Sequence, residues 1–341
     1  MGSREYTSNF QNPLGFKKTT MTSASTCNPI PKLAHRLLLF ACVFTWPLLF
    51  VGGLVTTYRV GMSVPDWPTT FGINMFVYNF LNAAWGVFIE HGHRLYGSAV
   101  GLCLLILAPW IQSMKQVPHR FKLAVWAALL GVIVQGVMGG LRVTQISTTL
   151  AMVHGCFAQL FFLYLALLAA WSGPSRVGLS SPDFVVPSLT TKRFSGSVVL
   201  LVYAQIVAGA WLRHFQSPDK LYLHATLGLV VLVTVTSLGV RIRREGLTSN
   251  RSIRRIKTFL VGFTHMQWLL GLAAWWMMRP FDGQAKPVSD LQAIFRTAHQ
   301  ANGALVLAFS GVAALWLFQA SGSVISRSQA ESAREEAACL S

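Results

Sequence analysis

His93, His154, His224 and His299 each stand near the start of a different apolar stretch. Four residues further on lie Gly97, Gly228 and Gly303 in three cases and Ala158 in the fourth. An ionisable side chain inside a membrane is costly, and a repeated one points to function. Four imidazoles at equivalent depth, each with a small residue one turn away, suggest two sites at which a histidine pair ligates a heme iron. In that reading the imidazole supplies the ligand, and the small residue lets a flat macrocycle lie against the helix.

Glu90-His91-Gly92-His93-Arg94 is the densest constellation. On a helix Glu90 lies one turn before His93 and Arg94, so a carboxylate, an imidazole and a guanidinium converge. The competing reading is an ordinary Glu90–Arg94 ion pair at a helix entrance. His91 faces roughly the other way and suits a loop or interfacial role. Arg59, Arg142, Arg213 and Arg279 close the odd-numbered apolar stretches. A planar guanidinium suits carboxylates such as the two heme propionates; snorkelling at the interface is the plainer alternative. Of the remaining histidines, His35 and His119 fall in inner loops and His214 sits beside Arg213. His265, at mid-depth in the seventh stretch, is expected to be buried and hydrogen-bonded.

Helices that cross a bilayer must hold these groups. The chain is 53% hydrophobic and only 11% charged, a membrane-protein composition. Apolar runs of about 20 residues, enough to span, occur near 36–57, 92–113, 122–141, 150–171, 194–213, 222–240, 257–277 and 296–318. The expected fold is an all-α membrane protein of eight transmembrane helices, arranged as two pseudo-symmetric four-helix bundles.

The net charge of +17 does not mean nucleic acid. Most of the Lys and Arg fall on the side of the N-terminus, above all the run Arg241, Arg243, Arg244, Arg251, Arg254, Arg255 and Lys257. That bias orients a membrane protein and anchors it to lipid. Both termini are then cytoplasmic, and the four histidines lie toward the outer face.

The chain reads as a two-helix hairpin repeated four times. Gln135/Gly139, Gln205/Gly209 and Gln267/Gly271 repeat a Gln-x-x-x-Gly pattern on odd helices, and Gly52-Gly53 holds the matching place in the first. Such residues serve close helix packing and buried amide bonds, or they clear and line space for a macrocycle. Residues 1–32 are expected to form a disordered cytoplasmic tail and 33–172 an N-terminal four-helix half. A cytoplasmic linker at 173–193, a C-terminal half at 194–320 and a cytoplasmic tail at 321–341 follow. The outer loop near 60–90, with Asp66-Trp67-Pro68 and the aromatics Phe76, Tyr78, Phe80 and Trp85, could lid the N-terminal half. The five cysteines, Cys27, Cys42, Cys103, Cys156 and Cys339, show no metal-type spacing and none falls in an outer loop. No outer disulfide is expected.

Across about 33–320 the chain resembles the heme A synthase family of cytochrome-oxidase assembly enzymes. The resemblance rests on Val51-Gly52-Gly53-Leu54, Gly61-Met62-Ser63-Val64-Pro65-Asp66-Trp67-Pro68, Glu90-x-x-His93-Arg94 and the histidine-led even helices. It implies an oxidoreductase that converts the C8 methyl of heme O to the formyl of heme A. His93 and His154 would form the substrate site with Arg94, Arg59 and Arg142, His224 and His299 would hold heme B with Arg213 and Arg279, and Glu90 would be the catalytic carboxylate. Heme O synthase would supply the substrate, the electron acceptor stays open, and a homo-oligomer is compatible. The location would be the bacterial cytoplasmic membrane rather than the mitochondrial inner membrane. Many relatives carry an outer-loop cysteine pair that this chain lacks. The rival reading is a diheme b-type cytochrome that only passes electrons, for example from quinol, and needs no Glu90.

Overall fold

The structure, a computed structural model, describes residues 30–173, 185–278 and 288–339, with side chains up to 320. Among the described residues eight α-helices follow one another: α1 Lys32–Thr57, α2 Trp85–Ser113, α3 His119–Thr144, α4 Thr148–Ser172, α5 Leu189–His214, α6 Pro218–Arg244, α7 Arg251–Met277 and α8 Asp290–Cys339. Seven are long and apolar enough to cross a membrane. The other, α7, carries Arg251, Arg254, Arg255 and Lys257 in its first two turns. The protein is an all-α integral membrane protein.

The helices outrun the apolar stretches, because helical hydrogen bonding continues wherever the ends find partners. α2 starts at Trp85 rather than near 92, so Glu90 and His91 are inside it. Among the described residues, side-chain caps start four helices: Ser147 accepts from Leu150 N, Ser188 from Thr191 N, Asn250 from Ser252 N and Ile253 N, and Ser289 from Gln292 N. Such caps satisfy amides that the first turn leaves unpaired. Glu245, after α6, accepts from Ser188 and Thr191 at the start of α5.

α1 packs on α2 and α4, and α3 on α2 and α4; α5 and α7 likewise each pack on α6 and α8. One apolar core gathers Leu38, Leu104, Ile111, Phe121 and Leu165, and another gathers Val235, Leu238, Ile253, Leu260 and Leu307. α8 joins them by packing against α1 and α4 as well. Ala304 and Ala308 of α8 belong to the first core, and Trp46 of α1 donates to Ala301 O at 2.9 Å.

The α1–α2 connection holds a small sheet that the sequence reading did not foresee. β1 (Thr69–Thr70) pairs antiparallel with β2 (Ile73–Asn74). The turn between them puts both Phe71 and Gly72 at positive φ, 52° and 75°, the geometry that tight hairpins require. Phe71 is an unusual residue there. Asp66 holds the turn, accepting from Phe71 N at 2.8 Å, Gly72 N at 2.9 Å and Thr69 Oγ1.

Candidate functional site

The four histidines all lie in the second or third turn of even helices, at one end of the molecule. Each imidazole rests on a glycine of the odd helix in its own hairpin. A methyl group placed on Gly52 would come 2.9 Å from His93 Cε1, and one on Gly139 3.1 Å from His154 Cε1. On Gly209 it would come 2.8 Å from His224 Cε1, and on Gly271 2.9 Å from His299 Cε1. At Gly52, Gly209 and Gly271 a methyl would force the ring to move, and at Gly139 the ring would have to give by a few tenths of an ångström.

The glutamines of the Gln-x-x-x-Gly pattern complete these seats. Gln135 Nε2 donates to His154 O at 3.0 Å and Gln205 Nε2 to His224 O at 2.9 Å. Gln267 Nε2 lies 3.3 Å from His299 Nε2, and its Oε1 accepts from Asn302. Thus one turn carries a glycine for the ring and an amide for the same hairpin. The glycines after the histidines differ among themselves. Gly228 and Gly303 back onto the Gln205 and Gln267 amides, at 3.1 and 3.3 Å from an added methyl, while beside Gly97 the space is open.

The rings of His224 and His299 are 5.9 Å apart, centre to centre, and nearly perpendicular at 83°. Two imidazoles that bind one metal ion from opposite sides at about 2 Å put their centres about 6 Å apart. His299 Nδ1 lies 3.1 Å from Gln267 O. A carbonyl only accepts, so this bond places the proton on Nδ1 and leaves Nε2 its lone pair, as in a ligating histidine. The buried Nδ1 atoms of His93, His154 and His224 have no partner. The residues fit a heme iron between His224 and His299.

Glu90 is buried, its side chain 2% exposed. Oε2 accepts from Val64 N at 2.9 Å and Oε1 from Arg94 Nη2 at 3.1 Å. Arg142 Nη2 stands 4.0 Å from Oε1. The simple Glu90–Arg94 pair therefore exists, but as part of a larger construction. Arg94 also donates to Val64 O, Asp66 O and Thr69 O, which folds the α1–α2 loop back over the carboxylate. Arg142 reaches Gly61 O at 3.4 Å, and Trp67 packs on Gly140 of α3. His91 is fully buried. Its Nδ1 meets Thr70 Oγ1 at 3.0 Å and its ring contacts Tyr78 and Phe80, so it pins the sheet.

The arginines divide. Arg94 and Arg142 engage Glu90 and the loop, whereas Arg59 lines a cavity together with Arg213. Arg59 was expected among the substrate-site residues instead. Arg296, not singled out in the sequence, lines that cavity too; its place one turn before His299, matching Glu90 before His93, was the available signal. Arg279 lies outside the described residues. His265 is exposed rather than buried, and its Nδ1 bonds Val261 O of its own helix at 2.8 Å. His35 Nδ1 meets Ser172 Oγ at 3.1 Å, tying α1 to α4. Among the described residues Cys42, Cys103 and Cys156 are free thiols.

The cytochrome oxidase assembly protein family matches residues 35–218. The chain belongs to that family, the heme A synthase family. It is 28% identical over 173 residues to the heme A synthase of Shouchella clausii, covering 49% of this chain and 54% of that protein. It is 29% identical over 175 residues to the heme A synthase of Alkalihalophilus pseudofirmus, covering 50% of this chain and 56% of that protein. The chain thus spans about half the length of the curated relatives it matches. The family match takes in His93, His154, Glu90 and the loop over Glu90, and stops before His224 and His299.

Proposed function

We propose that the protein is a heme A synthase, which oxidises the C8 methyl of heme O to a formyl group for cytochrome oxidase. The observation that carries this reading is buried Glu90, one turn before His93, held by Arg94 and Arg142 under a closed loop. A cytochrome that only passes electrons does not require a carboxylate placed so.

His93 and His154 would face the substrate heme O, and His224 and His299 would hold heme B. The bound hemes would supply the redox chemistry and the path for electrons. The chain's own residues do the rest. Glycine seats fix each imidazole plane. Val64 N and Arg94 hold the Glu90 carboxylate in one orientation, ready to take a proton or to face positive charge as it develops near the methyl. The loop keeps water from that carboxylate, which strengthens its charge interactions. The positive-inside bias puts the histidine end at the outer face and both termini in the cytoplasm.

The test is pigment extraction from membranes that contain this protein together with a heme O source. New heme A, absent without the protein, is the expected result. Bound heme with no heme A would favour the diheme cytochrome.

A further inference from the structure

Where α1, α5 and α8 meet at the histidine end there is a cavity of about 480 Å³. Arg59, Arg213 and Arg296 line it, along with His214, Thr56 and Gln216, and among the described residues no acidic one does. Among the described residues no carboxylate lies within 4 Å of any of the three guanidiniums; the ion pairs there are Arg94–Glu90, Arg142–Glu90 and Lys220–Asp219. Three cations round one space repel one another unless an anion is shared between them.

We propose that Arg59, Arg213 and Arg296 form a carboxylate site, and that it takes the propionates of the heme held by His224 and His299. The proposal rests on the bis-histidine reading of that pair.

Register places the cavity beside the pair. Arg296 is one turn before His299 on the same face of α8. Arg213 is one turn beyond Gly209, the seat of His224. Each guanidinium therefore lies about one turn past a histidine or its glycine seat, toward the same end of the molecule. Arg213 is also fixed in advance. Its Nη2 donates to Gly53 O at 2.7 Å and to Thr57 Oγ1, while its buried Nε has no partner. A planar donor group already oriented loses little freedom on binding a carboxylate.

The other half supplies the contrast. There the position one turn before the histidine is Glu90, not arginine, and Arg94 and Arg142 are occupied by it and by loop carbonyls. A heme in that half meets a carboxylate where the C-terminal heme meets a guanidinium. The two halves thus differ at the matching position, a guanidinium before His299 and a carboxylate before His93.

A lipid phosphate could use the same cations, so the experiment separates the sources. Full-length protein made without heme is titrated with heme B and with its dimethyl ester, and the low-spin Soret band is followed for wild type, Arg296→Gln, Arg296→Lys and Arg213→Gln. Bound phospholipid phosphorus is measured in each. The expected result is a loss of about tenfold or more in heme affinity for the two glutamine variants. Affinity for the ester should be unchanged, and Arg296→Lys should recover most of the loss. Equal loss for heme and ester would mean that the arginines only shape the fold, and would overturn the proposal. Unchanged heme affinity with less bound phosphorus would assign the cavity to lipid and overturn it equally. If the half does not bind even the ester in wild type, the bis-histidine reading itself fails.

Discussion

Gly209 and His224 touch across the α5–α6 hairpin so closely that a methyl on the glycine would stand 2.8 Å from the imidazole Cε1. Gly209→Ala must push the ring away or part the helices, at a cost of about 1–3 kcal/mol for overpacking. The low-spin heme spectrum should weaken or turn high-spin while the protein still inserts. Optical and paramagnetic resonance spectra of the purified variant check this. A wild-type spectrum would show that the seat does not set the ligand.

Gly97 provides the complementary case. Nothing lies within 4 Å of a methyl added there, so Gly97→Ala should leave folding and thermal stability within about 0.5 kcal/mol. If the open space is where the substrate macrocycle lies, heme O binding should fall several-fold. Retention of heme O at the wild-type level would place the substrate elsewhere.

Glu90→Gln removes charge and keeps shape. Product formation should drop about a hundredfold or more, the scale of a lost acid–base group, with heme B retained. Arg94→Lys, which keeps charge but cannot span three loop carbonyls, should loosen the loop and lower turnover less. Unchanged heme A yield in Glu90→Gln would reduce the residue to a loop anchor.

His265 and Arg296 show where sequence reading stops. The four histidines were legible because an ionisable group recurs at one depth of successive apolar runs. Glu90 was legible from its spacing to His93. The glycine seats were not, since helical periodicity says which residues share a face but not what faces them. Gly52, Gly139, Gly209 and Gly271 look alike whether they meet a ring, a helix or a macrocycle. The β1–β2 sheet depends on a single side chain, Asp66, closing a turn at Phe71 and Gly72, and two-residue strands leave no alternation to read. His265 satisfies itself on Val261 O four residues back, so it needs no burial. Arg296 was hidden because it stands near the start of an even helix, whereas Arg59, Arg142 and Arg213 follow or close odd ones.

Asp66 predicts a pH dependence of the loop. Burial raises its carboxyl, but hydrogen bonds from Gly72, Thr69 and Phe71 outweigh that and bring it from 3.8 to about 2. A depressed value means that the ionised form is favoured in the folded loop. Its stabilisation is complete above about pH 4 and is lost as pH falls toward about 2. Trp67 fluorescence in detergent should stay constant from pH 7 to about 4 and change below it. In Asp66→Asn that acid transition should disappear. The same transition in both proteins would assign it to another group.

Changing Cys27, Cys42, Cys103, Cys156 and Cys339 to Ala or Ser should leave heme A formation intact, with some loss of yield from altered packing at buried Cys42 and Cys156. Turnover with and without reductant is the measurement. Abolished turnover at normal heme content would bring a thiol into the mechanism.

Each histidine seat is made within one hairpin: α1 with α2, α3 with α4, α5 with α6, α7 with α8. During synthesis a seat can thus be complete as soon as its own two helices have entered the bilayer. The His224–His299 pair, by contrast, exists only after two finished hairpins have docked side by side. Capture of an iron centre between them would then report that the later helices have assembled correctly, and a chain halted between hairpins would present single imidazoles with nothing to close on.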